Sequence, residues 1–505
     1  MTSGLDRRAF LRGAVATTGG VLVSGPLQVL AERAAAAGAP SPVLVPVADL
    51  RDGKVRLHLP AGFAYRSFHD TDTVMPAPPA EQVRPPVELD DKTALPGRHD
   101  GMGAFPGPDG NVWLVRNHEI PGTVTRAFGS GAPYDSRAGG GTTTVLVTPR
   151  GEVLQAFTSL NGTQSNCAGG AMPWGSWITC EETVNGPDVG PDFTGASNTS
   201  LEQPHGFIFE VPVGGQSDRQ PIRAAGRFNH EAAAYSPHDG AVYLTEDCFA
   251  YPSGLYRYLP PADPTTAGRL LDGGRLQMLA VAGAPRAHLE ADQVVGATYP
   301  VTWVDIADPA PTFPYTPGEP APTANDAAAT YVGDQGRALG AALFSRLEGL
   351  VHTRGELWFT STQGGGVAET GPQLRSGYGR GAGQVWSYDP RREVLTCRYQ
   401  SPGRTTLELP DNITARSSRG TIVICEDGPG DNYIRGLARD ATLFDIALNR
   451  LTANNPSADG TYATRYGEEF AGATFSPDGG TLFVNIQANQ ALTFAIWGPW
   501  GRMGV

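Results

Sequence analysis

The sequence predicts an all-β fold, a six-bladed β-propeller with a long Pro/Ala-rich insertion between its third and fourth repeat units. Three observations predict it. A hairpin-like unit recurs six times at a near-constant period, and each copy turns on a glycine. The composition is turn-rich, with Gly 65 and Pro 43 among 505 residues and only 18% charged side chains, which leaves little room for long amphipathic helices.

The unit is a short strand, a turn ending in glycine and a second strand of alternating or continuous apolar residues. Its copies are DGMGAFPGPDGNVWLVRNHE (100–119), CAGGAMPWGSWITCEE (167–182), EAAAYSPHDGAVYLTED (231–247), EGLVHTRGELWFTSTQ (348–363), NITARSSRGTIVICED (412–427) and EFAGATFSPDGGTLFVNIQ (469–487). The turn glycines Gly110, Gly175, Gly240, Gly355, Gly420 and Gly480 are spaced by 65, 65, 115, 65 and 60 residues. Radially repeated four-stranded sheets produce such a period, and ring closure explains how so many strands avoid exposed edges. A pair of β-sandwiches also uses short strands and SPDG-type turns, but the period favours the propeller. The one long interval holds the insertion, about 259–335, with runs such as IADPAPTFPYTPGEPAPTAND and few strand signals; it is expected to lie over one face. ALTFAIWGPW (491–500) is the candidate for the strand that closes the ring.

Residues 1–39 read as an export leader. Arg7 and Arg8 precede Phe10 and Leu11, then a weakly apolar stretch broken by Gly13, Gly19, Gly20 and Gly25, then the small-residue run AAAAGA at 34–39, the pattern of a twin-arginine signal. A membrane span needs about 20 consecutive apolar residues, and no stretch qualifies, so no transmembrane anchor is expected. The twin-arginine machinery is the expected partner in transit, with a periplasmic or secreted destination. That route carries folded proteins, often with a cofactor inserted. Residues 40–505 are expected to form a single catalytic propeller and to act as a monomer. A formal charge of −13 without a basic cluster argues against nucleic acid. The five cysteines are an odd number, leaving at least one unpaired or coordinated, and no CxxC or HExxH spacing signals zinc.

Aligned on their glycines, the six units place Asp100, Cys167, Glu231, Glu348, Asn412 and Glu469 at the heads of their first strands. The innermost strands of a propeller line its channel, so these polar side chains converge on one axis. Arg346, two residues before Glu348, is expected on the same side by the period of two. Several carboxylates desolvated together raise one another's pKa values unless cations hold them. Carboxylate and amide oxygens suit hard ions; a thiolate among them points to a transition metal. Cys167 alone would be read as a small buried apolar residue; ringed by aligned acids, it reads as a ligand. A second set of acids ends the second strands: Glu119, Glu181 with Glu182, Glu246 with Asp247, and Glu426 with Asp427. Each could instead be a surface turn carboxylate. His118 and His230, both in NHE, are expected to be structural hydrogen-bonders.

The segments RHDGMGAF, NGTQSNCAGG, TCEE, GRFNHEAAAY, LTED, SRLEG and LPDNI together resemble the PhoX-type alkaline phosphatases, through essentially the whole mature chain. The resemblance implies a six-bladed propeller exported by the twin-arginine route, a role in phosphate acquisition, and a cluster of Fe3+ and Ca2+ bridged by an oxide that hydrolyses phosphate monoesters. It places the iron-binding cysteine on Cys167, the iron-binding glutamates on Glu231 and Glu348, and the phosphate-contacting catalytic arginine on Arg346. Calcium ligands are implied at Glu119, Glu182, Glu246, Asp411, Asn412 and Glu426. Phosphoryl transfer needs mainly positioning and charge neutralisation, which a metal cluster and a planar guanidinium supply. A calcium-dependent propeller lactonase or phytase, distinguished by calcium without iron, and a non-catalytic propeller that binds a partner on its face, stay open as alternatives.

Overall fold

Glycine at a hairpin corner takes a left-handed backbone that other residues resist. Gly110, Gly175, Gly240, Gly355 and Gly420 do so, with φ of 77°, 84°, 69°, 83° and 75°. In the sixth unit the left-handed residue is Gly479, at φ 68°, one place before the expected Gly480. The structure, a computed structural model, describes residues 41–71 and 87–505 apart from 193, 263, 265, 417–419, 455, 458 and 459. The leader assigned to 1–39 lies outside them.

Among the described residues the regular secondary structure is mostly strand, with one α-helix, α1 (Asn325–Ala338). The first sheet runs β4 (His99–Pro106), β5 (Val112–His118), β6 (Gly140–Val147), β7 (Val153–Thr163), and the second β8 (Asn166–Met172), β9 (Ser176–Glu181), β10 (Ile208–Pro212). A nine-stranded sheet follows. It begins with β11 (His230–Ser236), β12 (Ala241–Glu246), β13 (Leu255–Leu259), β14 (Arg275–Val281) and β15 (Thr298–Asp305), and continues through β19 (Val394–Gln400), β18 (Gln384–Asp389), β17 (Glu356–Ser361) and β16 (Leu347–Thr353). The fourth sheet contains β20 (Pro410–Ala415), β21 (Ile422–Glu426), β22 (Tyr433–Leu437) and β23 (Leu443–Asn449), extended by β2 (Val55–Pro60) and β1 (Leu44–Ala48). The last joins β24 (Phe470–Phe475), β25 (Thr481–Ile486) and β26 (Leu492–Trp497) to β3 (Ala64–Phe68).

Strands β4, β8, β11, β16, β20 and β24 pack side by side in that order, and β24 returns to β4. The arrangement is propeller-like, with these strands around a channel. Their glycines let the backbones approach: a Cβ on Gly170 would stand 1.7 Å from the Ala233 carbonyl oxygen, and one on Gly472 2.2 Å from that of Asp100. The ring is joined by β3, which pairs with β26 from Thr493↔Phe68 to Trp497↔Ala64. The segment expected to close the ring is thus the third strand of the last sheet, and the closing strand comes from the N-terminal side. The span 259–335 also carries more strand than its composition suggests: β14 is the fourth strand of its sheet, and β15 bridges to β19 through Thr298, Tyr299 and Pro300.

Side chains of second strands reach across to the backbone of the next inner strand. Asn117 Nδ2 donates to the Cys167 carbonyl at 2.8 Å, Thr245 Oγ1 to that of Glu348 at 2.6 Å, Thr360 Oγ1 to that of Asp411 at 2.7 Å, and Asn485 Nδ2 to that of Asp100 at 2.5 Å. Four of the channel-mouth residues are thereby fixed by a neighbouring sheet. All five cysteines are buried and none forms a disulfide.

Candidate active site

Each inner strand is bulged immediately after its first residues. The register shifts between His99 and Met102, Asn166 and Gly169, His230 and Ala233, Leu347 and Leu350, and Pro410 and Ile413. A bulge leaves two residues opposite one and re-aims their side chains. The first of each pair, Asp100, Cys167, Glu231, Glu348 and Asp411, lines one mouth of the channel. The second, including Gly101, Gly349 and Asn412, lines a cavity on the other side. Asn412 therefore does not line the mouth: its Oδ1 accepts from Gly472 N at 2.7 Å, and its Nδ2 donates to Asp411 Oδ1 at 2.6 Å. The sixth strand shifts between Ala471 and Thr474, and Glu469 enters the mouth from just before it.

The exits of the second strands form the other half of the mouth. Backbone N–H groups of Glu119, Glu182, Asp247, Asp427 and Gln487 donate to the carbonyls of Arg98, Ser165, Asn229, Leu409 and Glu469 at 2.9–3.2 Å, and all five side chains line the same cavity. Glu246 and Glu426, expected as ligands, are not brought there. Each is the last residue of its strand, so the alternation of side chains turns it away from its neighbour. Glu246 Oε2 accepts from Gly254 N and Tyr256 Oη, both at 2.9 Å; Glu426 accepts from Glu408 N, Tyr433 N and Arg435 Nε. Burial pushes both carboxyls up to about 7.

Among the described residues, nine carboxylates and the Cys167 thiol meet two guanidinium groups, those of Arg98 and Arg346, around about 50 Å³ of free space. Burial, then the charges of Asp411 and Asp100, push Glu231 well above the usual carboxylate range. Burial, then Asp247, Asp411 and Glu231, do the same to Glu348. The Cys167 thiol is raised by burial and by Glu231. Donor atoms within 4.8 Å of one another form three groups: Cys167, Glu182 and Glu231; Glu231, Glu348 and Asp411; and Asp411, Asp427 and Glu469. The set fits multivalent cations, since buried acids this close resist joint ionisation without positive charge between them. The group containing sulfur also suits a transition metal.

The two arginines occupy matching places. Each lies two residues before a mouth acid, outside the strand, in the left-handed region: φ is 49° at Arg98 and 39° at Arg346. The backbone kink, rather than strand alternation, turns Arg346 inward. Its guanidinium grips Asp247 with two hydrogen bonds, at 2.7 and 3.2 Å, and reaches Glu348 Oε1 at 3.0 Å. It lies over the Phe249 ring, 5.3 Å from the centroid. Arg98 grips Glu119 through both carbonyl and carboxylate. From sequence, no role is assigned to Arg98 or Gln487, and the ligand role is given to Glu246 and Glu426 rather than to Asp247 and Asp427. The recurrence of R-x-acid-Gly at 98–101 and 346–349 is the signal that could have found Arg98.

Behind the mouth, Glu181 accepts from Gln164 N, Gly206 N and Phe207 N and meets His205 Nδ1 at 2.6 Å. Burial alone would depress His205, but Glu181 and Asp135 override it and raise it to about 9. Its stabilising charge is present in full below the unfolded value near 6.5 and is lost as pH rises through about 9. The unfolding free-energy gap between the parent and His205→Gln is expected to be widest near pH 6, on the order of 3 kcal/mol, and to shrink by pH 10; a constant gap would count against the assignment. His118 bonds Gly97 O and Thr143 Oγ1, and His230 bonds Gly226 O and stacks on Phe228. Both are buried and depressed to about 3.

A propeller-like ring that gathers acids, a thiol and arginines at one mouth is suited to cations and to anionic ligands, and comparison with known proteins gives the class of enzyme. The model of the family described as alkaline phosphatase PhoX matches residues 44–157 and 150–489; the chain belongs to that family and is a phosphatase. No curated protein matches it. Among solved structures it is similar to Pseudomonas fluorescens PhoX in complex with vanadate, a transition state analogue, at 17% identity over 91% of this chain and 98% of that one, with a TM-score of 0.60. A gluconolactonase from Xanthomonas campestris matches at 12% identity over 91% and 99%, with a TM-score of only 0.37.

Proposed function

We propose that the chain is an exported, metal-dependent alkaline phosphatase that hydrolyses phosphate monoesters and releases inorganic phosphate at an iron–calcium centre. The observation that carries this reading is the meeting of buried acids and one thiol on a single axis beside two arginines. Cys167, Glu231 and Glu348 hold iron in this reading. Glu119, Glu182 and Asp411 hold calcium, with Asp100, Asp247, Asp427 and Glu469 replacing Glu246, Asn412 and Glu426 in that role. Bound there, the ions supply Lewis acidity toward phosphoryl oxygens and toward water.

The chain's own groups do the rest. Arg346, held charged by Asp247 and Glu348, presents a planar donor fork to phosphoryl oxygens. Asp247 fixes the orientation of that fork, and the aromatic face of Phe249 limits its swing. The ring is six-bladed in this reading: the nine-stranded sheet counts as two blades, β11–β14 and β16–β19, linked by β15 across the insertion. Residues 40–505 form one catalytic domain acting as a monomer, and 1–39 direct it through the twin-arginine machinery to the periplasm or beyond. The test is phosphate release from an aryl phosphate before and after chelation. At least a ~100-fold loss, reversed by iron with calcium, is expected. Full activity after complete removal of metal would overturn the reading, and recovery with calcium alone would remove iron from it.

A further inference from the structure

The space between the acids is of ionic size, so the organic part of an ester must lie outside it, and a second cavity of about 290 Å³ opens alongside. Glu182 lines both. Away from that shared wall the second cavity is bounded by Phe249, whose ring carries Arg346, by Val184, Ala329 and Tyr251, and by Leu374, which is 58% exposed. Tyr251 Oη donates to Asp326 Oδ2 at 2.9 Å, in the first turn of α1. Asn229, on the cavity wall, donates to the Asp247 carbonyl at 3.3 Å, while its own buried amide oxygen has no hydrogen-bond donor. Among the described residues no lysine or arginine lines the cavity, whereas Glu182, Asp192 and Asp326 do.

We infer that this cavity receives the alcohol part of the phosphate ester and selects an uncharged, ring-bearing alcohol over one that carries a second phosphate. This rests on the proposed reaction at the adjoining mouth. Aromatic and aliphatic walls favour a ring, the orphaned Asn229 oxygen suits a hydroxyl donor on it, and Asp192 and Asp326, with no base among the described lining residues, repel further negative charge. The occupant is the alcohol because the cavity shares the Glu182 wall with the mouth and its Phe249 ring carries Arg346.

Calorimetry with phosphonates, whose C–P bond resists hydrolysis, isolates the effect from leaving-group chemistry. 2-Phenylethylphosphonate is expected to bind the purified holoenzyme about tenfold more tightly than ethylphosphonate, the scale of burying a ring in an apolar pocket. Tyr251→Ala and Leu374→Asp should each lower that ratio toward one. Butane-1,4-diyl bisphosphonate should bind more weakly than butylphosphonate, and Asp326→Lys should reverse the order. Equal affinity for the two monophosphonates in the parent, or a preference for the ring untouched by both variants, would overturn the assignment while leaving the phosphatase reading intact. Failure of any phosphonate to bind a protein that also releases no phosphate would end both.

Discussion

Glu231→Gln is expected to lower phosphate release by about 10³-fold, the scale of losing a preorganised electrostatic contact, without unfolding the protein. Glu231 contributes to two of the three donor groups, one with Cys167 and Glu182 and the other with Glu348 and Asp411. It is therefore the hinge between them. The amide keeps the size of the carboxylate, so the bulge at His230–Ala233 and the packing of β11 between β8 and β16 have no reason to change. What goes is one unit of negative charge, and with it part of the cluster's hold on cations. Because burial and neighbouring acids already disfavour that charge, the metal-free variant should melt no lower than the metal-free parent. Turnover of an aryl phosphate, metal content and melting temperature together check this. Activity within tenfold of the parent would remove Glu231 from the site.

Arg346→Ala is expected to cost about 10²- to 10³-fold in kcat, with metal content largely held. The guanidinium is the group best placed to meet phosphoryl oxygens, and a lysine in its place lacks the planar fork that two-point contact requires. Arg346→Lys should therefore recover only a small part of the loss. Stability must be read beside activity: Asp247 faces the arginine at 2.7 Å while 1% exposed, and stranding a buried charge in this way costs about 3–5 kcal/mol. The lysine variant keeps the positive charge and separates the two effects. If Arg346→Lys and Arg346→Ala both retain parental kcat, the arginine does not contact the transferring group.

The repeat and its turn glycines made the ring legible, because a hairpin corner with positive φ demands glycine almost regardless of context. The mouth was legible only in part. Aligning on those glycines put Asn412 in the ring, since a bulge displaces the register by one residue and leaves no mark in the sequence; Asp411 is the residue that turns inward. In TCEE the second acid leaves the strand and enters the mouth, and the same rule applied to LTED and ICED selects Asp247 and Asp427 over Glu246 and Glu426. That rule was readable from the three motifs together. The left-handed kinks at Arg98 and Arg346 were not, because arginine seldom adopts that backbone and nothing local announces it. Strand β3 escaped for another reason: its partner β26 lies at the far end of the chain, and pairing over such a distance has no local pattern.

Anomalous diffraction from crystals of the purified protein, recorded on both sides of the iron absorption edge, tests most directly whether these acids share their mouth with metal. The expected result is an iron peak bonded to Cys167 Sγ at about 2.3 Å, close to thiolate–metal distances, with Glu231 in its coordination shell. A mouth in which Cys167 and Glu231 contact only protein and water, in crystals of protein that hydrolyses phosphate monoesters, would contradict it.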